Sequence, residues 1–146
     1  ILLAKQTEER QTECREELII PGITRLKDRN LQICCTILEK DKNFSIEQIP
    51  QTPYTKWFDY DIIKSSLTVR TRQPEDVLCV NRQGGTQKLK SYFPAKSRER
   101  ILLIAEGHQI LWVVGYRMSS RYQISEHTKR IIEIKIMEDK KHGRDN

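Results

Sequence analysis

No run of apolar residues in this 146-residue chain approaches the length that crosses a bilayer, and no signal peptide opens it. The reading therefore has no membrane partner. Cysteine is scarce. Of the four, Cys14, Cys34, Cys35 and Cys79, none forms a Cys-x-x-Cys pair, and none of the three histidines stands at zinc-ligand spacing to such a pair. That argues against a structural zinc or any other metal site and favours reduced thiols in the cytoplasm. Glycine is sparse too. The doublet Gly84-Gly85-Thr86-Gln87-Lys88 lacks the first glycine of a nucleotide-binding P-loop at the needed spacing, which excludes ATP binding there. No His/Cys/Asp grouping stands at catalytic spacing. His108 falls in a short loop and His127 in a turn, so no residue is assigned to catalysis. An initiator Met is also missing, since the chain starts Ile1-Leu2-Leu3, and the expectation is a piece of a longer protein with a further domain.

What the chain has in quantity is charge. Charged residues make up 32% and apolar residues 37%, with a net charge of +6. This is a globular composition with a cationic surplus suited to a polyanionic partner. The length fits one domain, or one domain with an appended piece.

The most structured stretch is Ile101–Ser120. The apolar runs Ile101–Ala105 and Ile110–Val114 flank Glu106-Gly107-His108-Gln109, the pattern of a β-hairpin. Both runs are apolar at nearly every position, which predicts a central piece of sheet covered on both faces. Alternation predicts half-buried strands at Leu31–Leu38, Leu67–Arg72 and Ile131–Ile136. In the second of these, Leu67 and Val69 point inward and Arg70 and Arg72 outward. Shorter extended pieces are expected at Ile1–Lys5, at Leu18–Ile20 before the Pro21-Gly22 turn, at Phe44–Ile49, at Val77–Val80 and at Arg121–Ile124. Residues 6–17 read as an exposed charged linker and 138–146 as a charged tail. Leu89, Tyr92 and Phe93 fall at i, i+3 and i+4, which predicts one short helix over Thr86–Phe93 with Thr86 as N-cap. The fold class is β-rich α+β: a layered, sandwich-like domain over 18–137 with one short helix.

Several blocks then come in a telling order. Leu67-Thr-Val-Arg-Thr-Arg-Gln-Pro-Glu-Asp76 is followed by Gly85-Thr-Gln-Lys88-Leu89-Lys90-Ser-Tyr-Phe93. After these come Arg100, Ile110-Leu-Trp112-Val-Val-Gly115-Tyr-Arg117, and Ser125 to Thr128-Lys129. This order resembles the C-terminal domain of bacterial tRNA(Ile)-lysidine synthetases, most densely over 57–136. The resemblance implies a layered β-rich module shared with part of the phenylalanyl-tRNA synthetase β subunit. It also implies a role in gripping tRNA(Ile). A separate N-terminal domain of the PP-loop type, using ATP and Mg2+, would then convert the wobble cytidine to lysidine. That domain's Ser-Gly-Gly-x-Asp-Ser run does not occur here, so this chain alone is expected to be neither an enzyme nor a cofactor-binding unit. The partners implied are tRNA(Ile), the N-terminal catalytic domain and, for a homodimer, a second copy. Two departures stand out. Glu75 replaces the family's glycine in Pro-Gly-Asp, and residues 94–100 are shorter than the family loop and lack its Lys-Ile-Pro-Arg.

The candidate tRNA-binding residues are Arg70, Arg72, Lys88, Lys90, Arg98, Arg100, Arg117 and Arg121. Double-stranded RNA is read mostly through phosphates, 2′-hydroxyls and shape, which suits Lys and Arg on a rigid platform. Arg100 and Arg117 enter and leave one hairpin, so they are expected at the same end of it. Lys88 and Lys90 are expected at the helix start, feeding the same loop, and Asp76, Glu75 or Glu99 is expected to engage two or three of the eight. Trp112 and Phe93 read as core, while Tyr116 and Tyr122 are open between core and base stacking. The competing assignment is a β-rich protein-interaction module of another translation-related protein.

Overall fold

The computed structural model describes residues 14–81, 83–89 and 100–139. Among these, eleven strands follow in order: β1 (Arg15–Glu17), β2 (Gly22–Leu26), β3 (Leu31–Glu39), β4 (Thr55–Asp59), β5 (Thr68–Arg70), β6 (Val77–Cys79), β7 (Thr86–Lys88), β8 (Leu103–Glu106), β9 (Gln109–Val113), β10 (Arg117–Met118) and β11 (Arg130–Glu138). Short 3-10 turns occupy Lys27–Arg29, Ile46–Gln48 and Tyr60–Ile62. The chain is β-rich, as its alternating and apolar runs predict. Where the sequence suggests one domain over 18–137, the described residues divide into two compact units. One takes 14–17 with 65–121, the other 18–64 with 122–139.

The second unit is the simpler. Its sheet runs β2-β3-β11-β4, antiparallel throughout. Strands β3 and β11 pair along their whole nine-residue lengths, with Ile33 opposite Ile136, Cys35 opposite Ile134 and Ile37 opposite Ile132. Directly paired residues share a face. One face therefore carries an apolar layer, continued by Phe58 on β4 and Leu26 on β2. Burying such a β-branched layer is what makes the alternation in Leu31–Leu38 and Ile131–Ile136 informative. At its far end β11 runs on through Met137 and Glu138, where a frayed tail is expected, because Glu138 pairs with Leu31 and Asp139 N donates to Asn30 O at 2.7 Å.

The first unit is built around the expected hairpin. Its sheet runs β1-β5-β8-β9-β6-β7, with β10 also on β9. Ile101–Ala105 and Ile110–Val113 are all buried, so both faces of the β8–β9 hairpin are covered. Leu78, Leu89, Ile101, Leu103, Ala105, Ile110 and Val113 form one cluster, and Trp112 is core. The outer edge of β9 is shared. Parallel β6 takes Gln109 and Ile110, and antiparallel β10 takes Trp112 and Val113.

Four local expectations are corrected. Thr86–Lys88 is a strand, not the start of a helix. The Asn81 side chain closes a β6–β7 turn by accepting from Gln83 N and Gly85 N, and Thr86 then pairs with Cys79 and Lys88 with Val77. Leu18–Ile20 is not a strand. Pairing begins after the proline, at Gly22, and Thr24 Oγ1 accepts from Ile19 N. Ile46–Gln48 is a 3-10 turn because Ser45 caps it through its hydroxyl. Arg121–Ile124 is not a strand. Tyr122 is buried there and its carbonyl accepts from Asp59 N. Within the expected linker, Arg15–Glu17 forms β1 by backbone pairing with β5. The expected strand at Ile1–Lys5 and the Tyr92–Phe93 part of the expected helix lie outside the described residues.

Candidate nucleic-acid interface

Arg70 is where the alternation misleads. It is 2% exposed, and Asp76 beside it is fully buried. The Gln73–Asp76 turn that links β5 to β6 brings the carboxylate over the Arg70 side chain. Nη1 donates to Asp76 Oδ2 at 2.8 Å and Nη2 to Oδ1 at 2.7 Å, a two-pronged pair. The guanidinium also donates to Thr71 O and Gly107 O, and Asp76 Oδ2 accepts from Gln73 N. His108 Nδ1 lies 3.2 Å from Asp76 Oδ1. A buried ion pair is tolerated only when its remaining donors and acceptors are matched, and here they are matched by backbone. Arg70 is therefore a bolt between the β5–β6 turn and the β8–β9 hairpin, not an exposed cation. Glu75 stands in the same turn, which holds its 3-residue backbone bond, Asp76 N to Gln73 O, without a glycine.

The remaining cations fall at two ends of the same sheet. Arg117 pairs with Val113 at the end of β9, and Arg100 immediately precedes the buried run entering β8, where Leu102 O accepts from Val114 N. The expected neighbourhood of Arg100 and Arg117 is thus present at the level of the backbone. Arg117 is half-buried and donates from Nη2 to Val80 O at 3.0 Å, which ties β10 to the end of β6. Arg121 is exposed and follows β10, past the bonds from Ser119 N to Leu111 O on β9 and from Ser120 N to Cys79 O on β6.

Lys88 is exposed but sits at the opposite end, since it pairs with Val77, which in turn pairs with Gln109 at the start of β9. The two levels are four residues apart along β9, about 13 Å at strand rise. Lys88 therefore does not join the Arg100–Arg117 group, and it lies on a strand rather than in the first turn of a helix starting at Thr86. Arg72 is half-buried, beyond the end of β5. Lys90 and Arg98 lie outside the described residues.

The aromatic question resolves. Trp112 and Tyr122 are buried, whereas Tyr116 is 62% exposed at the tip of the β9–β10 turn. The sequence signal for this was Gly115, which takes φ 85°, a left-handed conformation that turns the strand and lifts the next residue out of the sheet.

Two titrating groups are displaced from their ordinary values. Burial, aided by neighbouring Cys34, pushes the Cys35 thiol up to about 12, so it stays protonated and inert. Asp61 is held below the usual carboxylate range. The backbone N–H of Lys129, at 2.8 Å, is the main cause and outweighs slight burial, with Arg130 N–H and its guanidinium adding to it. Among the described residues no group of His, Cys, Asp and Glu could hold a metal ion, and no helix there is long and apolar enough to cross a membrane.

The fold and the site define a class: a β-rich module of two sheets, one of which holds a buried Arg70–Asp76 pair and carries exposed cations near its ends. The family model described as the TilS substrate C-terminal domain matches residues 67–135, and over that stretch the chain belongs to this family. The tRNA(Ile)-lysidine synthase of Caldanaerobacter subterraneus subsp. tengcongensis is 29% identical over 95% of this chain and 30% of its own length. That of Clostridium tetani is 35% identical over 60% of this chain and 20% of its own. The chain thus spans less than a third of the length of these relatives. A crystal structure of a TilS C-terminal domain has the same fold, with a TM-score of 0.65, 23% identity, and coverage of 86% of this chain and 97% of that one.

Proposed function

We propose that this chain is the tRNA-gripping C-terminal part of a cytoplasmic tRNA(Ile)-lysidine synthase. In this reading it positions tRNA(Ile) while a separate N-terminal domain, with ATP and Mg2+, converts the wobble cytidine to lysidine. The observation that carries the reading is the family match over residues 67–135, alongside relatives named for that activity. The geometry supports it through the exposed or half-exposed cations Lys88, Arg100, Arg117 and Arg121 around one rigid sheet; Arg72 does not join them, because its Nε and Nη1 are buried. Such side chains neutralise phosphates without reading bases, which suits the grip on a folded RNA better than recognition of one sequence.

The test is a titration of the purified chain with a tRNA(Ile) transcript across a salt series. Steep linear loss of log affinity with log salt is expected, at about 0.7–0.9 per phosphate contacted. Salt-independent binding, or none, would move the module to the protein-interaction reading. Pyrophosphate release by this chain as sole protein, with ATP, lysine and tRNA(Ile) present, would contradict the division of labour.

A further inference from the structure

Tyr116 is too exposed to serve the core. Among the described residues of the first unit it is the one large apolar side chain that is exposed; the others, Ile19, Ile23, Ile46, Tyr54 and Met137, belong to the second unit. A single exposed tyrosine needs no explanation by itself, but this one is mounted in an unusual way. It stands at the tip of a tight turn whose entry strand, β9, is buried along Ile110–Val113. Gly115 takes the left-handed conformation the turn demands, and Tyr116 N donates to Val113 O at 2.8 Å. The next residue, Arg117, is fixed by its strand pairing and by its bond to Val80 O. The ring is therefore carried on backbone that is pinned on both sides, at the end of the sheet where Arg100 and Arg117 enter and leave the hairpin. A rigid aromatic face beside cations is the arrangement that stacks on an unpaired base while neighbouring charges hold the phosphates.

We propose that Tyr116 is a base-stacking residue: it packs against an unpaired nucleotide of the bound tRNA, next to backbone phosphates held by Arg100 and Arg117. This deepens the tRNA-binding reading and rests on it. It assigns to this surface a preference that phosphate contacts cannot supply, for RNA with a splayed or terminal base over a continuous duplex.

The experiment compares the wild-type chain with Tyr116→Leu and Tyr116→Phe against two RNAs, a tRNA(Ile) transcript and a blunt-ended RNA duplex of equal length. Urea unfolding checks that each variant is folded. Tyr116→Leu is expected to weaken tRNA binding by roughly 10- to 100-fold, to leave duplex binding within about twofold, and to leave the salt slope on both RNAs unchanged, because stacking displaces no counterions. Tyr116→Phe keeps the ring and should bind tRNA like the wild type. Equal losses on both RNAs, or a flattened salt slope, would overturn the proposal and make Tyr116 a prop for Arg117. Unchanged tRNA binding by Tyr116→Leu would also overturn it and leave the ring to a protein partner. Absence of RNA binding by the wild type would overturn the tRNA reading itself and the stacking with it, so the two failures are distinguishable.

Discussion

The two units reach stability by different means. The second is a four-stranded antiparallel sheet with one apolar face, and its two long strands hold each other in register over nine residue pairs. The first has short strands, a parallel pair and a hairpin buried on both faces, and it encloses an ion pair with no solvent access to the carboxylate. In the second unit stability is spread along a repeating pattern. In the first it converges on a few residues that join segments distant in sequence. A single substitution should therefore be felt differently in each.

The sharpest way to break this contrast is Asp76→Ala. It leaves the Arg70 guanidinium buried without its counter-charge, and about 3–5 kcal/mol of stability should be lost. The two tryptophans make the loss assignable, since Trp112 lies in the first unit and Trp57 in the second. In a Trp57→Phe background, Trp112 fluorescence should report a large drop in urea midpoint, while in a Trp112→Phe background Trp57 should report a smaller one. Equal shifts would show that the two sheets unfold as one.

Next in size is Ile134→Ala, which opens a cavity in the apolar layer between Cys35 and its neighbours. It should cost about 2–5 kcal/mol, now reported chiefly by Trp57. A loss seen equally by both tryptophans would again dissolve the contrast.

The first unit's hairpin was legible because both of its runs are apolar throughout, and β3 and β11 because apolar residues recur at every second position. Edge strands were not legible. Arg15–Glu17 and Thr86–Lys88 are polar and join a sheet through backbone hydrogen bonds alone, which any sequence without proline can offer. The candidate site was legible only in part. Arg117 and Arg100 follow from hairpin geometry. The burial of Arg70 depends on a carboxylate that the chain brings back six residues later, and alternation carries no information about such a return. The division into two units was hidden for the same reason: it depends on which distant strands pair.

Smaller effects should sharpen the contrast on the functional side. Arg100→Ala with Arg117→Ala should flatten the slope of log tRNA affinity against log salt by about one unit per lost phosphate contact. Lys88→Ala, at the other end of the sheet, should change it by about one unit if that end also touches RNA. An effect of Lys88→Ala with none from the arginine pair would place the grip at the far end of β9.

The smallest effect is acid sensitivity in the second unit. Asp61 has a lowered folded-state pKa, so its contribution is complete above the ordinary carboxylate range, about pH 4, and is lost as pH falls through the lowered value. Asp61→Asn should remove that part of the acid dependence, measured as the change in urea midpoint between neutral and strongly acidic pH. An unchanged acid profile would show that the Lys129 and Arg130 contacts do not survive in solution.

The order of strands along the chain has a consequence for how the protein is made. β1 belongs to the first unit, β2 to β4 to the second, β5 to β10 to the first again, and β11 to the second. On the ribosome the second sheet must wait, its two outer strands and β3 already synthesised, until β11 emerges last and takes its place between β3 and β4. Until then the apolar faces of Ile33, Cys35 and Phe58 have no isoleucine partners, and the first unit can complete its sheet while its neighbour stands open. Non-local pairing of this kind is slow and exposes strand edges meanwhile. Chains stalled or truncated before Arg130 should therefore be prone to aggregate through the second unit even though the first is intact.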